Sequence, residues 1–522
     1  MHYLKSLPVL VILLFGTAVA RAQEPAALAA IDQRAEAIVS RMTLDQKIDL
    51  IGGVDDFFIR GYPDLGWPRL KMADGPMGVR NWGPATAFPA GIGLAATWDP
   101  DMARAIGVGL GRDARAKGVH FLLGPGVNIY RAPMNGRNFE YFGEDPFLGS
   151  RIVVAYVEGV QSEGVIATVK HYMGNNSEFD RHRINDQIDE RTEREIYLPI
   201  LESAVSEANA GAVMDSYNLV NGEHATQNAA LNIEVLRNSW GFRGILMSDW
   251  DATYDAVGAA NGGLDLEMPA GRFMNRANLL PAIQAGTVTV ATIDEKVRRI
   301  VRTAVAFGFL DRDQLELTIP RYNEENRAVA QRGAEESAVL LKNAGPVLPL
   351  DRASIHTLAV IGPGAYPAVP VGGGSAGVEP FTAVSYLQGL SDYLEGVQVL
   401  YSPGLVATAD ILGQTRFSLD EKGAQPGVHG EYFNSADFSG TPVVRDDVHV
   451  NFDWRNESLH AMVVKGLSIR WTGWFTPAKT TTYHWAISLA GRDAVKFYLD
   501  GRLVLARDPQ EGRGPEGVDV PM

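Results

Sequence analysis

Between about residues 165 and 270 the chain alternates short apolar, β-branched runs with longer stretches of helical periodicity, and each apolar run ends on a polar residue. VIATVKHYMGN ends at Lys170-His171, AGAVMDSYN at Tyr217-Asn218, RGILMSDWD at Asp249, and GGLDLEMP around Glu267. Strands buried on both faces need such continuous apolar runs, and the intervals leave room for one helix between successive strands. The pattern predicts an α/β fold built on a (β/α) TIM-like barrel, which gathers polar side chains at the C-terminal ends of its strands. Upstream, AALAAIDQRAEAIVSRMTLDQKIDLI reads as helix. Ile31, Ala35, Ile38, Val39 and Met42 fall in 3.6-residue register, and Thr43 is placed to cap the segment after it.

The pattern changes twice more. From Arg321, ENRAVAQRGAEESAVLLKN reads as helix and leads through Pro346 and Pro349 to the apolar strand and glycine turn LAVIGPGA, a second αβ region over 321–426. Gly362 and Gly364 lack the third glycine of a dinucleotide fingerprint, and prolines stand where its helix would begin, so nucleotide binding is set aside. The cluster VGGGSAGVEP, residues 371–380, reads as a flexible loop near an interdomain cleft. Over 427–522 apolar and polar residues alternate among Thr, Trp and Tyr with an Asp500-Gly501 turn, which predicts antiparallel strands of a β-sandwich. That sandwich reads as incomplete. The expected layout is a barrel over 23–320, the start of a sandwich of helices and sheet over 321–426, and a partial β-sandwich over 427–522.

Residues 1–22, MHYLKSLPVLVILLFGTAVARA, carry Lys5, an apolar run from Leu7 to Phe15, and small residues at Ala18, Ala20 and Ala22. This is the pattern of a secretory leader, with cleavage expected after Ala22 or, second, Ala20. Its apolar centre is too short for a permanent anchor, so a periplasmic or secreted protein with no membrane anchor after cleavage is expected. The chain of 522 residues has no cysteine, which removes disulfides, thiol catalysis and Cys-ligated zinc. Its net charge of −15 repels phosphate backbones and anionic lipid, which argues against nucleic acid as a partner. An uncharged ligand meets no such barrier, and no feature specifies an oligomeric state.

Each chemical candidate has a plain alternative when taken alone. Asp249 is placed to cap a helix, His171 to be a satisfied core imidazole, Asp74 in KMADGPMGVR to open an Asp-Gly-Pro turn, and Arg137 in MNGRNFEYFGEDP to pair with Glu140, Glu144 or Asp145. Together, Asp74, Arg137, Lys170, His171, Tyr217 and Asp249 all fall at strand ends or in the loops just after them, which a barrel brings to one face. The resulting pocket suits a polyhydroxylated ligand, with Trp250 as an aromatic wall and Tyr217 aiming Asp249. A metal is not expected, because no HExxH or comparable ligand pair is present and Lys170 and Arg137 would repel a cation. A nucleophilic carboxylate fits the positive neighbours instead.

KMADGPMGVR, GRNFEYFGEDP, ATVKHYMGNN, VMDSYN and GILMSDW, in this order and spacing, resemble the β-glucosidase-type members of glycoside hydrolase family 3. The resemblance runs over about residues 30–426, and the segment from about 427 looks like the protective-antigen-type β-sandwich that some of these enzymes carry within their second domain. It implies that Asp249 is the nucleophile of a retaining, exo-acting β-glucosidase that releases terminal β-D-glucosyl residues. It also implies that Asp74, Arg137, Lys170 and His171 bind the sugar, that Met214 and Tyr217 flank the nucleophile, and that Arg80 supports the Asp74 loop. No cofactor is implied, and β-glucosides or oligosaccharides are the implied partners. A retaining enzyme needs a second carboxyl as acid/base. By the resemblance that glutamate lies beyond the inserted sandwich, so it is expected beyond residue 522, in a longer chain of which this is the N-terminal portion. KHYMGNN lacks the KHFPG and Asp-His pattern of the N-acetylglucosaminidase branch. A β-xylosidase or mixed-specificity β-glycosidase is the alternative reading, and a non-hydrolytic carbohydrate-binding protein, with Trp454, Trp471, Trp474 and Trp485 in its sandwich, is the alternative of another class.

Overall fold

The computed structural model describes residues 25–345, 347–404, 417–450, 467–488, 494–507 and 515–522; the leader 1–22 and Trp454 lie outside the described residues. The chain forms two compact units, one of residues up to Pro346 together with Pro370–Ala383, the other of Val347–Val369 together with Val384–Met522.

The first unit is organised by a six-stranded sheet in chain order: β1 (Phe58–Ile59), β2 (Leu70–Asp74), β3 (Phe121–Leu123), β4 (Ile166–Tyr172), β5 (Ala212–Asp215) and β6 (Ile245–Met247). From β2 to β6 all pairings are parallel, and every residue of β3, β4, β5 and β6 is buried, as the continuous apolar runs require. Helices Pro100–Ala116, Pro146–Ser162 and Pro199–Ser206 follow β2, β3 and β4. The first two start at Asp-Pro: Asp99 and Asp145 accept free N–H groups of the first turn, and proline fills the position that needs no donor. These two helices meet closely because Gly107 and Gly159 face each other; a Cβ at Gly107 would lie 2.4 Å from the Tyr156 carbonyl oxygen.

The sheet departs from a regular eight-stranded parallel barrel. β1 runs antiparallel to β2, and beyond β6 the sheet curls on only through isolated bridges, Met247 to Leu266 and Gly52 to Glu267. The physical reason lies in Glu267, whose carboxylate accepts the backbone N–H groups of Arg272, Phe273 and Met274 and so bends the chain into a loop. Thr43 forms the expected cap, reciprocated by Gln46. Helix Glu324–Glu336 belongs to this unit, where Asn326 Nδ2 donates to the Gly109 carbonyl and to Asp113. So does the 370–383 segment, in which Ala376 and Val378 are buried and Glu379 O accepts the Ala85 N–H.

In the second unit, strand Thr357–Ile361 pairs in parallel with Gln398–Ser402, and helix Tyr386–Tyr393 precedes the latter. Downstream, among the described residues, the strand pairs are antiparallel: Phe417–Ser418 pairs with Trp474–Phe475, Val428–Phe433 lies between Val443–Asp447 and Ser468–Thr472, Thr482–Ser488 pairs with Pro515–Pro521, and Val495–Leu499 pairs with Arg502–Arg507. That last hairpin turns at Asp500-Gly501, both at positive φ, as a two-residue turn demands. Of the described tryptophans here, Trp471 donates to Asp447 and Trp485 packs on Phe475 and Phe497, whereas Trp474 is 48% exposed.

Candidate active site

The buried strand Ile245–Met247 delivers Asp249 to the C-terminal end of the sheet, and Ser248 fixes the exit by donating its N–H to Leu266 O and accepting the Met268 N–H. Asp249 caps no helix; that task falls to Asp255, at the start of Ala256–Asn261. One carboxylate oxygen of Asp249, Oδ1, accepts the Tyr217 hydroxyl at 2.8 Å and the Trp250 N–H at 2.7 Å. The other, Oδ2, has His171 Nε2 at 3.4 Å, and Asp249 retains 8% exposure. One oxygen is anchored and the other presented.

Strand register explains why these groups meet. Lys170 on β4 is level with Met214 on β5, which is level with Met247 on β6, so residues just beyond this level share one end of the sheet. The register shifts between Lys170 and Tyr172, which re-aims His171. His171 is fully buried, and Asn128 grips it three ways: Asn128 Oδ1 accepts the His171 backbone N–H and lies 2.9 Å from Nδ1, while Asn128 Nδ2 donates to the His171 carbonyl. With the amide oriented by the backbone, Nδ1 must carry the proton, and Nε2 is left as an unpartnered acceptor. Burial, reinforced by Arg137, Lys170 and Arg181, holds the imidazole well below its ordinary pKa, so it is neutral.

Asp74 closes another side of the site. Arg80 donates to its Oδ2 at 2.7 Å, Lys170 Nζ lies 4.0 Å from its Oδ1, and its backbone N–H is taken by Asn81 Oδ1. Burial raises the Asp74 pKa, opposed by Lys170 and Arg80 and reinforced by Asp249. Lys170 is 2% exposed, so its ammonium depends on this carboxylate. Trp250 packs on Phe57 with ring centroids 5.0 Å apart, and its indole N–H is buried without a partner. Met214 is buried in β5.

Of the three acids offered to Arg137 in the sequence, Glu140 is the one it pairs with. Its guanidinium binds the buried Glu140 through two nitrogens, reaches Ser375 Oγ at 3.2 Å and lies 3.7 Å from Glu178. Four contributors carry little signal in the sequence. Asn128 sits in a loop with no strand-end pattern, and Asn81 stands in the shadow of Arg80. Glu140 is one of three acids offered to Arg137, and the three-residue spacing on one helical turn is the signal that selects it. Arg181, whose guanidinium stacks 3.8 Å over the Tyr217 ring and pairs with Glu178, lies in a loop of mixed charge.

The chain matches the Glycosyl hydrolase family 3 N terminal domain over residues 64–303 and the Glycosyl hydrolase family 3 C-terminal domain over residues 338–491. It belongs to glycoside hydrolase family 3. Within that family it is 38% identical over 481 residues to a beta-glucosidase of Rhizobium radiobacter, spanning 90% of this chain and 57% of that protein. It is 36% identical over 483 residues to Beta-glucosidase B of Emericella nidulans, spanning 90% and 56%. Among solved structures, the beta-glucosidase of Kluyveromyces marxianus in complex with glucose matches with a TM-score of 0.71 at 30% identity, over 94% of this chain and 62% of that one. DesR, a beta-glucosidase from Streptomyces venezuelae in complex with D-glucose, matches with a TM-score of 0.66 at 36% identity, over 76% and 54%. The chain thus spans somewhat over half the length of these curated relatives. The family's α/β fold with a curled parallel sheet is the one described above. Among the described residues of this family member, no group of three His, Asp or Glu side chains could hold a metal ion, and no helix is long and apolar enough to cross a membrane.

Proposed function

We propose that this chain carries the glycone site and nucleophile of a retaining, exo-acting β-glucosidase. The observation that carries the reading is the asymmetry of Asp249: Oδ1 is held by Tyr217 and by the Trp250 N–H, while Oδ2 faces outward beside the lone pair of a neutral imidazole. Oδ2 attacks the anomeric carbon, the glycosidic bond breaks with its electron pair leaving on the aglycone oxygen, and a covalent glycosyl ester forms; water then releases the sugar. His171 Nε2, able only to accept, takes a sugar hydroxyl proton in a hydrogen bond. Asp74 accepts from hydroxyls at the far end of the ring, Lys170 donates to them, and Arg137 supports that end through Glu140. Met214 and Trp250 wall the ring.

The leaving oxygen needs a carboxylic acid. Asp74, Glu140 and Glu178 are each committed to cations, namely Arg80 and Lys170, Arg137, and Arg181. The proposal therefore gives the acid/base role to a carboxylic acid other than these three. It also reads the curled sheet as a modified (β/α) barrel, the segment from 427 as the inserted β-sandwich, and residues 1–22 as an export leader to the periplasm or medium. The glucose complexes of related β-glucosidases support glucose over xylose in the substrate.

Incubation with a 2-deoxy-2-fluoro-β-glucoside bearing a good leaving group tests the reading. A stoichiometric adduct on the peptide containing Asp249 is expected. Reversible binding with no adduct would favour a carbohydrate-binding protein, and preferential labelling by the fluoro-xyloside would favour a β-xylosidase.

A further inference from the structure

Helix Pro100–Ala116 ends at Lys117, a lysine only 4% exposed. Its ammonium donates to three backbone carbonyls of a single loop: Val79 at 2.8 Å, Asn81 at 3.2 Å and Gly83 at 2.6 Å. A lysine has three donors and no acceptor, so three carbonyls satisfy it completely without a carboxylate. One helical turn earlier, Asp113 Oδ2 accepts the Thr86 N–H of the same loop, while its Oδ1 takes Asn326 Nδ2. The last turn of one helix thus grips the loop at four points between residues 79 and 86.

That loop carries the two side chains that hold Asp74. Arg80 donates to the Asp74 carboxylate and, from its backbone, to the Asp74 carbonyl; Asn81 Oδ1 accepts the Asp74 N–H. The carbonyls taken by Lys117 lie immediately before and after Arg80 and two residues further on. We infer that Lys117 is a positioning residue for Asp74: by holding the 79–83 backbone it sets where Arg80 and Asn81 place the carboxylate, and so how tightly the far end of the sugar is bound. The ligand part of this inference rests on the glycosidase reading. Removing the ammonium leaves the buried Val79 carbonyl unpaired and releases the part-buried carbonyls of Asn81 and Gly83, so the loop shifts toward other donors, taking Arg80 and Asn81 with it.

The test uses the full chain with Lys117→Met, which keeps the length and removes every donor, and Lys117→Gln, which keeps two donors without charge. Amide hydrogen exchange at Asp74 and Arg80 in the ligand-free protein is expected to quicken in the order wild type, Gln, Met. The Kd for methyl β-D-thioglucoside, measured by calorimetry, is expected to rise in the same order, by about tenfold or more for Met. Combined with Asn81→Ala, Lys117→Met should add little further loss of affinity, because both act through one loop. Unchanged exchange at both amides, or fully additive losses, would overturn the inference. If Lys117→Met fails to fold, the comparison of Gln with wild type decides. Wild type that binds no glucoside would sink the glycosidase reading, and the exchange measurement would still decide on Lys117.

Discussion

His171 Nε2 stands 3.4 Å from Asp249 Oδ2, and because Asn128 commits the proton to Nδ1, both facing atoms are acceptors. Two acceptors at this distance gain nothing from each other; they are reconciled by a donor between or beside them, which a sugar hydroxyl supplies. Nitrogen NMR of the imidazole should therefore show an Nδ1–H tautomer that does not titrate between pH 5 and 8, since burial and the nearby cations hold the ring well below its ordinary pKa. Titration within that window would contradict the assignment. In Asn128→Ala the tautomer is released, and glucoside binding should weaken by about tenfold, the worth of one good hydrogen bond.

Removing the nucleophile is the harsher perturbation. Asp249→Ala should lower kcat/KM for an aryl β-glucoside by more than about 10⁴-fold while leaving glucose binding within an order of magnitude, because the sugar's contacts lie mainly with other residues. A variant that kept a hundredth of wild-type turnover would remove Asp249 from the nucleophile's role.

Tyr217 acts on the same carboxylate from the anchored side. Its hydroxyl, whose own pKa is raised well above the ordinary value by burial and by Asp249, stays protonated and keeps donating to Oδ1. Tyr217→Phe removes a hydrogen bond to a charged group, of about 1.5–3 kcal/mol. With the ring still clamped under Arg181, kcat should fall about 10- to 100-fold with KM little changed. A rise in KM with kcat intact would show that Tyr217 holds substrate instead.

The parts of this site legible in the sequence share one property: they lie at the ends of buried strands. The apolar runs before Lys170, Met214 and Asp249 announce both the strand and the residue it delivers, and parallel register does the rest. Asn128, Asn81 and Lys117 act on the site from loops and a helix end, through hydrogen bonds to backbone atoms. Backbone acceptors carry no sequence signature, so Lys117 reads as an ordinary C-terminal helix lysine until its three carbonyl partners are known. Arg137 shows the converse limit. Its position and its three possible acids are legible, but the choice among them is made by a single helical turn, Asn138–Glu140, whose one sequence trace is the three-residue spacing.

Away from the site, His120 should make the protein acid-sensitive. Its imidazole is 9% exposed, accepts the Lys71 N–H at Nδ1 and meets the Phe309 ring edge-on, and burial, with Arg312 and Lys71 nearby, pushes its pKa down to about 3. Because the folded value lies below the ordinary 6.5, the unfolded chain takes up the proton first as pH falls. The group's contribution is therefore complete above about pH 6.5 and is lost as pH drops toward 3, at about 1.4 kcal/mol per pH unit. His120→Asn, which can still accept the Lys71 N–H but cannot be protonated, should be less stable at pH 7 yet show a shallower loss between pH 6 and 4. Urea unfolding across that range reads the difference. The raised pKa of buried Asp74 and Asp113 tilts stability the other way, but equally in both proteins, so it cancels. Parallel pH profiles for wild type and variant would show that His120 does not titrate as its surroundings require.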